Sequence, residues 1–172
     1  MTALAEIVAA LRERFPDALV AEGLASRDPW IQVTPERWFD LAQALRDVAG
    51  ARFDTLSDLT AVDWLQPDPK LAAKSPIRPR LELVAHLFSL ELRHRLVVKV
   101  ELHRWKNDTP GDLPELASVS TVWPIAEWHE RECFDLFGIQ FTGHPGLTRI
   151  LCPDDWVGHP LRKDYQVPEE YE

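Results

Sequence analysis

Apolar side chains recur at every second position over residues 96–103, and this pattern restricts the fold more than any other part of the sequence. Leu96, Val98, Val100 and Leu102 alternate there with Val97, Lys99, Glu101 and His103. A period of two residues is that of a strand with one buried face. Residues 81–90 form a second clear strand, and Arg93-His94 stands at a turn between the two. The sequence therefore predicts a β-hairpin over residues 81–103.

Apolar stripes at helical spacing predict three helices outside this hairpin. The stripes fall within residues 4–15, 38–48 and 125–137. In the third helix, Pro124 suits the first turn, where no backbone donor is needed, and Gly138 suits the residue after the last turn. We therefore expect a helix that begins near Pro124 and ends at Gly138.

Short strands are expected at residues 30–33, 53–64 and 118–122, with an exposed loop at 66–79. Strands joined mostly by hairpins, together with a few helices, are typical of an α+β fold. We expect a mixed, mostly antiparallel sheet with helices packed on one face and a long extended C-terminal tail. At 172 residues the chain is long enough for one sizeable core.

The chain has no sustained period after Gly138, where Gly, Pro and Asp recur every few residues. We therefore divide it into an α+β core domain, residues 1–138, and an extended C-terminal docking tail, residues 139–172. Structureless segments longer than about 12–15 residues are uncommon in compact domains, and large apolar residues favour burial. Since this tail is rich in Trp, Leu and Tyr, we expect it to lie across another surface.

Composition argues against several classes of function. A net charge of −9 opposes nucleic-acid binding, which needs a concentrated basic surface. Cys133 and Cys152 are the only cysteines, so the chain cannot by itself supply the four thiolates of a typical iron–sulfur cluster. The sequence contains no Gly-x-Gly-x-x-Gly and no Walker-type loop. No run reaches the roughly 18 apolar residues of a membrane span, and we expect a soluble, cytosolic chain.

The third helix carries an unusual set of polar residues. Glu127, Arg131 and Asp135 are spaced by four, so Arg131 can pair with both acids on what we interpret as a solvated or rim face. The apolar arc consists of Ile125, Trp128, Cys133, Leu136 and Phe137. His129 and Glu132 project from within that arc. A carboxylate there must be paired, hydrogen-bonded or protonated, so these two residues need an explanation.

Three interpretations of this pair remain open. The favoured one is a structural network of His129 and Glu132 with Arg149 or Arg162 of the tail. The second is general acid/base catalysis by Glu132 and His129. The third is a metal site in which His129 and Cys133, four residues apart, are joined by ligands from the tail, for which the candidates are His144, Cys152 and His159. In each Gly-His-Pro triplet we prefer the role of a turn.

The same stretch resembles a known family. The segments ERECFDLFGI (130–139), FTGHP (141–145), LTRIL (147–151) and PDDWVGHPLRKDY (153–165) closely resemble the hallmark of a peripheral subunit family of bacterial NADH-quinone oxidoreductase, the counterpart of the 30-kDa subunit of mitochondrial complex I. The resemblance covers about a quarter of the chain and is specific in order and spacing. Thr148 stands where members of the family often carry a second Arg.

The resemblance implies a non-catalytic assembly subunit in the peripheral, quinone-module arm of a proton-translocating complex. FMN, iron–sulfur clusters and quinone would then belong to partner subunits, with no cofactor or metal in this chain. The expected neighbours are the large quinone-site subunit and the terminal-cluster subunit, on the cytoplasmic side of the cell inner membrane. Membrane association would be indirect, through the membrane arm. An equivalent subunit of a membrane-bound hydrogenase or formate-linked complex is the alternative, and a small Glu/His enzyme or metalloprotein a distant one.

The resemblance also nominates a set of interface residues in the third helix and the tail. They are Glu130, Arg131, Glu132, Asp135, Gly138, Gly143, His144, Pro145, Arg149, Asp154, Trp156, Gly158, His159, Pro160, Arg162, Lys163, Asp164 and Tyr165.

Overall fold

The computed structural model describes residues 2–48, 50–74 and 76–167 of the chain. Its main sheet contains five strands: β1 (Leu19–Gly23), β2 (Trp30–Val33), β3 (Thr55–Trp64), β4 (Arg80–Phe88) and β5 (Arg95–Leu102). They lie in the order β1-β2-β5-β4-β3. Neighbouring strands are antiparallel except β2 and β5, which are parallel. The sheet is therefore mixed and mostly antiparallel, and the fold is α+β as expected.

The hairpin of β4 and β5 confirms the strongest sequence prediction. Leu83 lies opposite Val100 and Leu81 lies opposite Leu102, and all four side chains are buried. The other face of the same strand carries Lys99, which stays partly exposed. Burying one Leu or Val side chain contributes about 1.5–3 kcal/mol, so the apolar face of this hairpin is a main source of core stability.

Four α-helices accompany the sheet in the described part of the chain: α1 (Thr2–Arg14), α2 (Trp38–Asp47), α3 (Pro69–Lys74) and α4 (Ala126–Phe137). α1 and α2 bury side chains such as Leu11 and Leu45 in the same core as the apolar sheet face. α4 packs along β3 and ends at Gly138, whose left-handed backbone (φ 69°) stops the helix. No helix in the described ranges is long and apolar enough to cross a membrane.

The strand predicted at residues 118–122 is wrong. The strand lies just before it, as β6 (Glu115–Ala117), and pairs in parallel with β7 (Gln140–Thr142). Residues 120–122 form a turn instead. The backbone leaves the extended path because the Ser118 hydroxyl and the Val119 N–H both bind a side chain of α4. The boundary drawn at residue 138 stays a prediction, although β7 pairs across it.

Two elements, β1 and α3, were not predicted from the sequence. β1 pairs with β2 at one edge of the sheet and alternates only between exposed and half-buried residues, so its apolar signal is weak. α3 lies in the segment predicted as an exposed loop and buries none of its residues. The Asp68 carboxylate accepts a hydrogen bond from the Lys70 N–H at 2.8 Å, as an N-terminal cap does. The Asp-Pro pair at 68–69 was the available signal.

Candidate functional site

The inward face of α4 differs from the predicted one. Glu130 and Asp135 are fully buried, whereas Ile125 and Trp128, which were predicted in the buried arc, are 47% and 57% exposed. Glu132, predicted within that arc, is exposed. The helix buries residues 126, 130, 133 and 137, a stripe of ordinary helical spacing that contains a carboxylate. The anomaly is real, but its residue is Glu130.

Glu130 fastens the turn after β6 to α4. One carboxylate oxygen accepts a hydrogen bond from the Ser118 hydroxyl at 2.6 Å, and the other accepts one from the Val119 N–H at 2.7 Å. Burial raises the pKa of Glu130 to about 7, although both hydrogen bonds act in the opposite direction. The group is therefore poised to change its charge near neutral pH inside the protein.

Asp135 organises the first part of the tail. Its carboxylate accepts a hydrogen bond from Arg149 Nη1 at 2.6 Å and others from the N–H groups of Ile150, Leu151 and Cys152 at 3.0, 2.8 and 2.9 Å. Burial alone would raise the pKa of Asp135, but the N–H groups and the guanidinium outweigh it and hold the pKa far below its usual range. The predicted solvated position is thus the centre of an internal network.

Arg131 does not pair with the acids four residues away. It donates to the carbonyl oxygens of Thr148 and Arg149 at 3.1 and 2.9 Å, and its guanidinium lies 5.5 Å from the centre of the Trp128 ring. Arg149 in turn donates to the carbonyl oxygens of Trp156 and Gly158, both at 2.9 Å. These two arginines therefore hold the path of the tail backbone.

The end of α4 is capped by the tail. The last carbonyl groups of a helix have no partner within it. Here the carbonyl of Asp135 accepts from His159 Nδ1 at 2.9 Å, that of Leu136 from the Leu161 N–H at 3.0 Å, and that of Phe137 from Arg162 Nε at 2.7 Å. A Cβ at Gly138 would lie 2.5 Å from the His159 ring. Only glycine therefore fits between the helix and the tail at that position.

A buried ion cluster fastens the end of the tail to the sheet. Arg104 donates to both carboxylate oxygens of Asp63 at 2.8 and 2.9 Å and to those of Asp164 at 2.6 and 3.1 Å. The Lys163 N–H also donates to Asp63, at 2.9 Å. Burial would lower the pKa of Arg104, but its hydrogen bonds to Asp164 and Asp63 outweigh this effect and raise it. Asp164 correspondingly has a lowered pKa, chiefly through its hydrogen bond to Arg104.

Asp63 and Arg104 were missed as network residues, although the sequence carried a signal for both. Asp63 continues the phase of the buried residues Leu59 and Ala61 on β3, and Arg104 continues the phase of Leu102 on β5. Opposite charges at buried positions at the ends of two strands indicate a pair.

The remaining nominated residues lie mostly on the outside of the tail. Gly143, Pro145, Asp154, Gly158 and Lys163 are exposed, and His144, Trp156, Pro160 and Tyr165 are half-buried. Both glycines have a left-handed backbone, with φ of 82° and 84°, which agrees with the turns predicted for the Gly-His-Pro triplets.

The catalytic and metal interpretations find no assembled site. His129 faces Asp58 of β3, with Nδ1 3.7 Å from the carboxylate, while Glu132 is exposed. Cys133 Sγ lies 3.6 Å from the Leu59 carbonyl, and burial raises the pKa of this thiol. His144 Nε2 bonds to a backbone carbonyl of α4 at 2.9 Å. Among the residues that the structure describes, no group of three or more His, Cys, Asp or Glu could hold a metal ion.

Comparison with known proteins agrees with the resemblance of the motif. The family model described as "Respiratory-chain NADH dehydrogenase, 30 Kd subunit" matches residues 31–171. The chain belongs to this 30-kDa subunit family. A relative from Roseiflexus castenholzii is 43% identical over 164 residues, covering 95% of this chain and 84% of its own. One from Chlorobium phaeobacteroides is 40% identical over 163 residues, covering 94% and 87%. Both are named as the same subunit of NADH-quinone oxidoreductase.

A solved structure shares the fold of this 30-kDa family member. It belongs to the membrane-bound sulfane sulfur reductase, described as an archaeal respiratory membrane complex. The TM-score is 0.71 at 26% identity, with 97% of this chain and 87% of the other covered. This chain is accordingly a subunit of a multi-subunit respiratory complex, NADH-quinone oxidoreductase.

We expect Asp135→Asn to lower the free energy of unfolding by about 3 kcal/mol, because it leaves the Arg149 cation without its carboxylate. Urea unfolding of the purified full-length chain measures this change, and hydrogen exchange at the amides of Ile150, Leu151 and Cys152 should accelerate with it. The control is Glu132→Gln, the corresponding acid-to-amide change at an exposed site of the same helix, expected within about 0.5 kcal/mol of the unmodified chain. Equal shifts for the two variants would contradict the network.

We expect the stability of the chain, relative to its Glu130→Gln variant, to fall as the pH rises from about 4.5 to about 7. The folded state holds the Glu130 proton to a higher pH than the unfolded chain, so deprotonation across this window favours unfolding. The relative loss is on the order of 3 kcal/mol at most. Urea unfolding of both chains at pH 5 and 7.5 measures it. Parallel pH curves would rule out a raised pKa.

Proposed function

We propose that this chain is a non-catalytic assembly subunit in the peripheral, quinone-module arm of proton-translocating NADH-quinone oxidoreductase. Partner subunits carry the electrons from NADH to quinone and hold the FMN and iron–sulfur clusters. The observation that carries the proposal is the division of the motif into two sets of side chains. Charged residues such as Asp135, Arg149 and Arg162 bond within the chain, while large apolar residues of the same region face outward.

The outward-facing set has the character of a docking surface. Ile125 and Trp128 lie on α4, and Leu151 and Val157, 63% and 75% exposed, lie on the tail. Arg131 links the two parts, because it stacks on Trp128 and holds the tail backbone beside it. Exposed groups of large apolar residues mark interaction sites, and Trp and Arg are enriched among the residues that dominate binding energy.

The neighbours in this proposal are the large quinone-site subunit and the terminal-cluster subunit. The chain contacts the membrane only indirectly, through the membrane arm, on the cytoplasmic side of the cell inner membrane. The names of its relatives and the resemblance of residues 130–165 to the family motif support this arrangement.

An equivalent subunit of a hydrogenase or formate-linked complex is less well supported. The archaeal sulfane sulfur reductase subunit has a similar fold but only 26% identity, against 43% for the Roseiflexus castenholzii relative. The position of Glu132, exposed on α4, gives no support to acid/base catalysis with His129.

The non-catalytic role predicts that the purified full-length chain neither oxidises NADH nor reduces quinone, and carries no stoichiometric flavin, iron or zinc. NADH oxidation with a quinone acceptor, together with metal and flavin analysis, measures this. The intact complex serves as the positive control. Turnover by the free chain that His129→Gln abolishes would overturn the proposal in favour of an enzyme.

The docking role predicts that Trp128→Ala with Leu151→Ala prevents assembly while the free chain stays folded. Both side chains are more than half exposed, so little core packing is lost. Native electrophoresis of solubilised membranes from a strain that carries only the tagged variant measures the assembled fraction. Leu71→Ala, at an exposed leucine of α3, is the control and should assemble normally. Normal assembly of the double variant would remove this surface from the interface.

A further inference from the structure

A cleft of about 330 Å³ opens where residues 157–166 fold back against Trp105. Arg162 and Tyr165 both line it, and the exposed residues Val157 and Gln166 stand at its border. Sites that bind a partner or ligand are commonly concave and largely apolar, with a few convergent polar groups. Two polar groups in this cleft lack a partner within the chain.

The first is the guanidinium of Arg162. The residue is 5% exposed, and its guanidinium carbon lies only 3.7 Å from the centre of the Trp105 ring. Nε and Nη2 donate to the carbonyl oxygens of Phe137 and Gly138 at 2.7 and 3.4 Å. Nη1 is buried and has no hydrogen-bond partner. One arm of a buried cation is thus left without an acceptor.

No carboxylate compensates this cation. The nearby acids Asp63 and Asp164 are both bound by Arg104, and within the described ranges Arg162 forms no ion pair of its own. Burial and the neighbouring Arg104 lower the pKa of Arg162 to about 10, so it remains a cation at neutral pH. A buried charge without a counter-ion is costly, and an incoming anion removes that cost.

The second group is the phenol of Tyr165. Its Oη is buried and has no hydrogen-bond partner. The Tyr165 N–H donates to the Arg162 carbonyl at 3.1 Å in a tight turn, which brings the two side chains to the same cleft. The ring packs on Gly158, where a Cβ would lie 3.0 Å from it. The chain therefore holds two unused donors close together.

We propose that this cleft binds the carboxylate of an Asp or Glu side chain from the neighbouring subunit, with Arg162 Nη1 and Tyr165 Oη as its donors. The inference rests on the assembly role proposed above and adds the chemistry of the partner. A single carboxylate matches one uncompensated cation, and a guanidinium gives it a charge-assisted hydrogen bond. Both donor atoms are shielded from solvent in the free chain, so the carboxylate enters as the Tyr165 ring turns toward its exposed neighbours Gln166 and Val167.

Tyr165→Phe gives opposite results in the free chain and in the complex. In the free chain it removes an unsatisfied buried hydroxyl, so the thermal midpoint stays the same or rises. In the complex it removes a hydrogen bond to a charged group, so a tagged chain leaves the purified complex about tenfold faster in the presence of excess untagged chain. A hydroxyl with only a structural role would change both readouts in the same direction or neither.

The carboxylate is identified by photo-crosslinking from Gln166→p-benzoylphenylalanine in the assembled complex. The expected product joins this position to a partner peptide that contains Asp or Glu. Replacing that acid with its amide should speed release as Tyr165→Phe does, and the two changes together should do little more than either alone. Additive effects, or a crosslinked peptide without an acidic residue, would overturn the proposal.

The outcomes also separate this inference from the docking role. If Tyr165→Phe leaves release unchanged while Trp128→Ala with Leu151→Ala prevents assembly, the assembly role stands and the carboxylate site is refuted. If neither change affects assembly, the docking surface itself is refuted, and the carboxylate site with it.

Discussion

The attachment of the tail to the C-terminal end of α4 is the interaction on which the rest of this structure depends. Asp135 collects one guanidinium and three backbone N–H groups, and three tail donors cover the open carbonyl groups beyond it. Detaching the tail would leave a buried carboxylate and a helix end unsatisfied together, at a cost of several kcal/mol. Helix and tail therefore behave as one unit, and the outward side chains of both keep a fixed relation to each other.

Much of the sheet could be predicted from the sequence, because strict alternation on β5 has only one structural explanation. The buried face of α4 could not. The prediction assumed that apolar residues on a helix face the core, but Trp128 and Ile125 face outward while Glu130 faces inward. Helical periodicity reports where apolar residues lie and not which surface covers them. A subunit with a second surface to cover therefore misleads a prediction that considers one core.

The network at the end of the tail illustrates the opposite case. Asp63 and Arg104 follow the buried phase of their strands, so their pairing was open to prediction from alternation alone. Asp164 was not, because no periodicity links a residue of an irregular tail to a strand about 100 positions earlier. The motif resemblance identified the tail residues as a group, and the structure divides that group. Asp135, Arg149, Arg162 and Asp164 hold the tail to the fold, whereas Asp154 and Lys163 extend into solvent.

The long reach of the Asp63 contacts has a consequence during synthesis. Its partner at Lys163 lies 100 residues further along the chain, and the second carboxylate on Arg104 comes one residue later still. A nascent or shortened polypeptide that stops before this point buries the Asp63–Arg104 pair without its complement and leaves the end of α4 uncapped. The finished protein is thus more stable than any incomplete version of it, and cellular proteases that degrade poorly folded chains would remove the incomplete versions first.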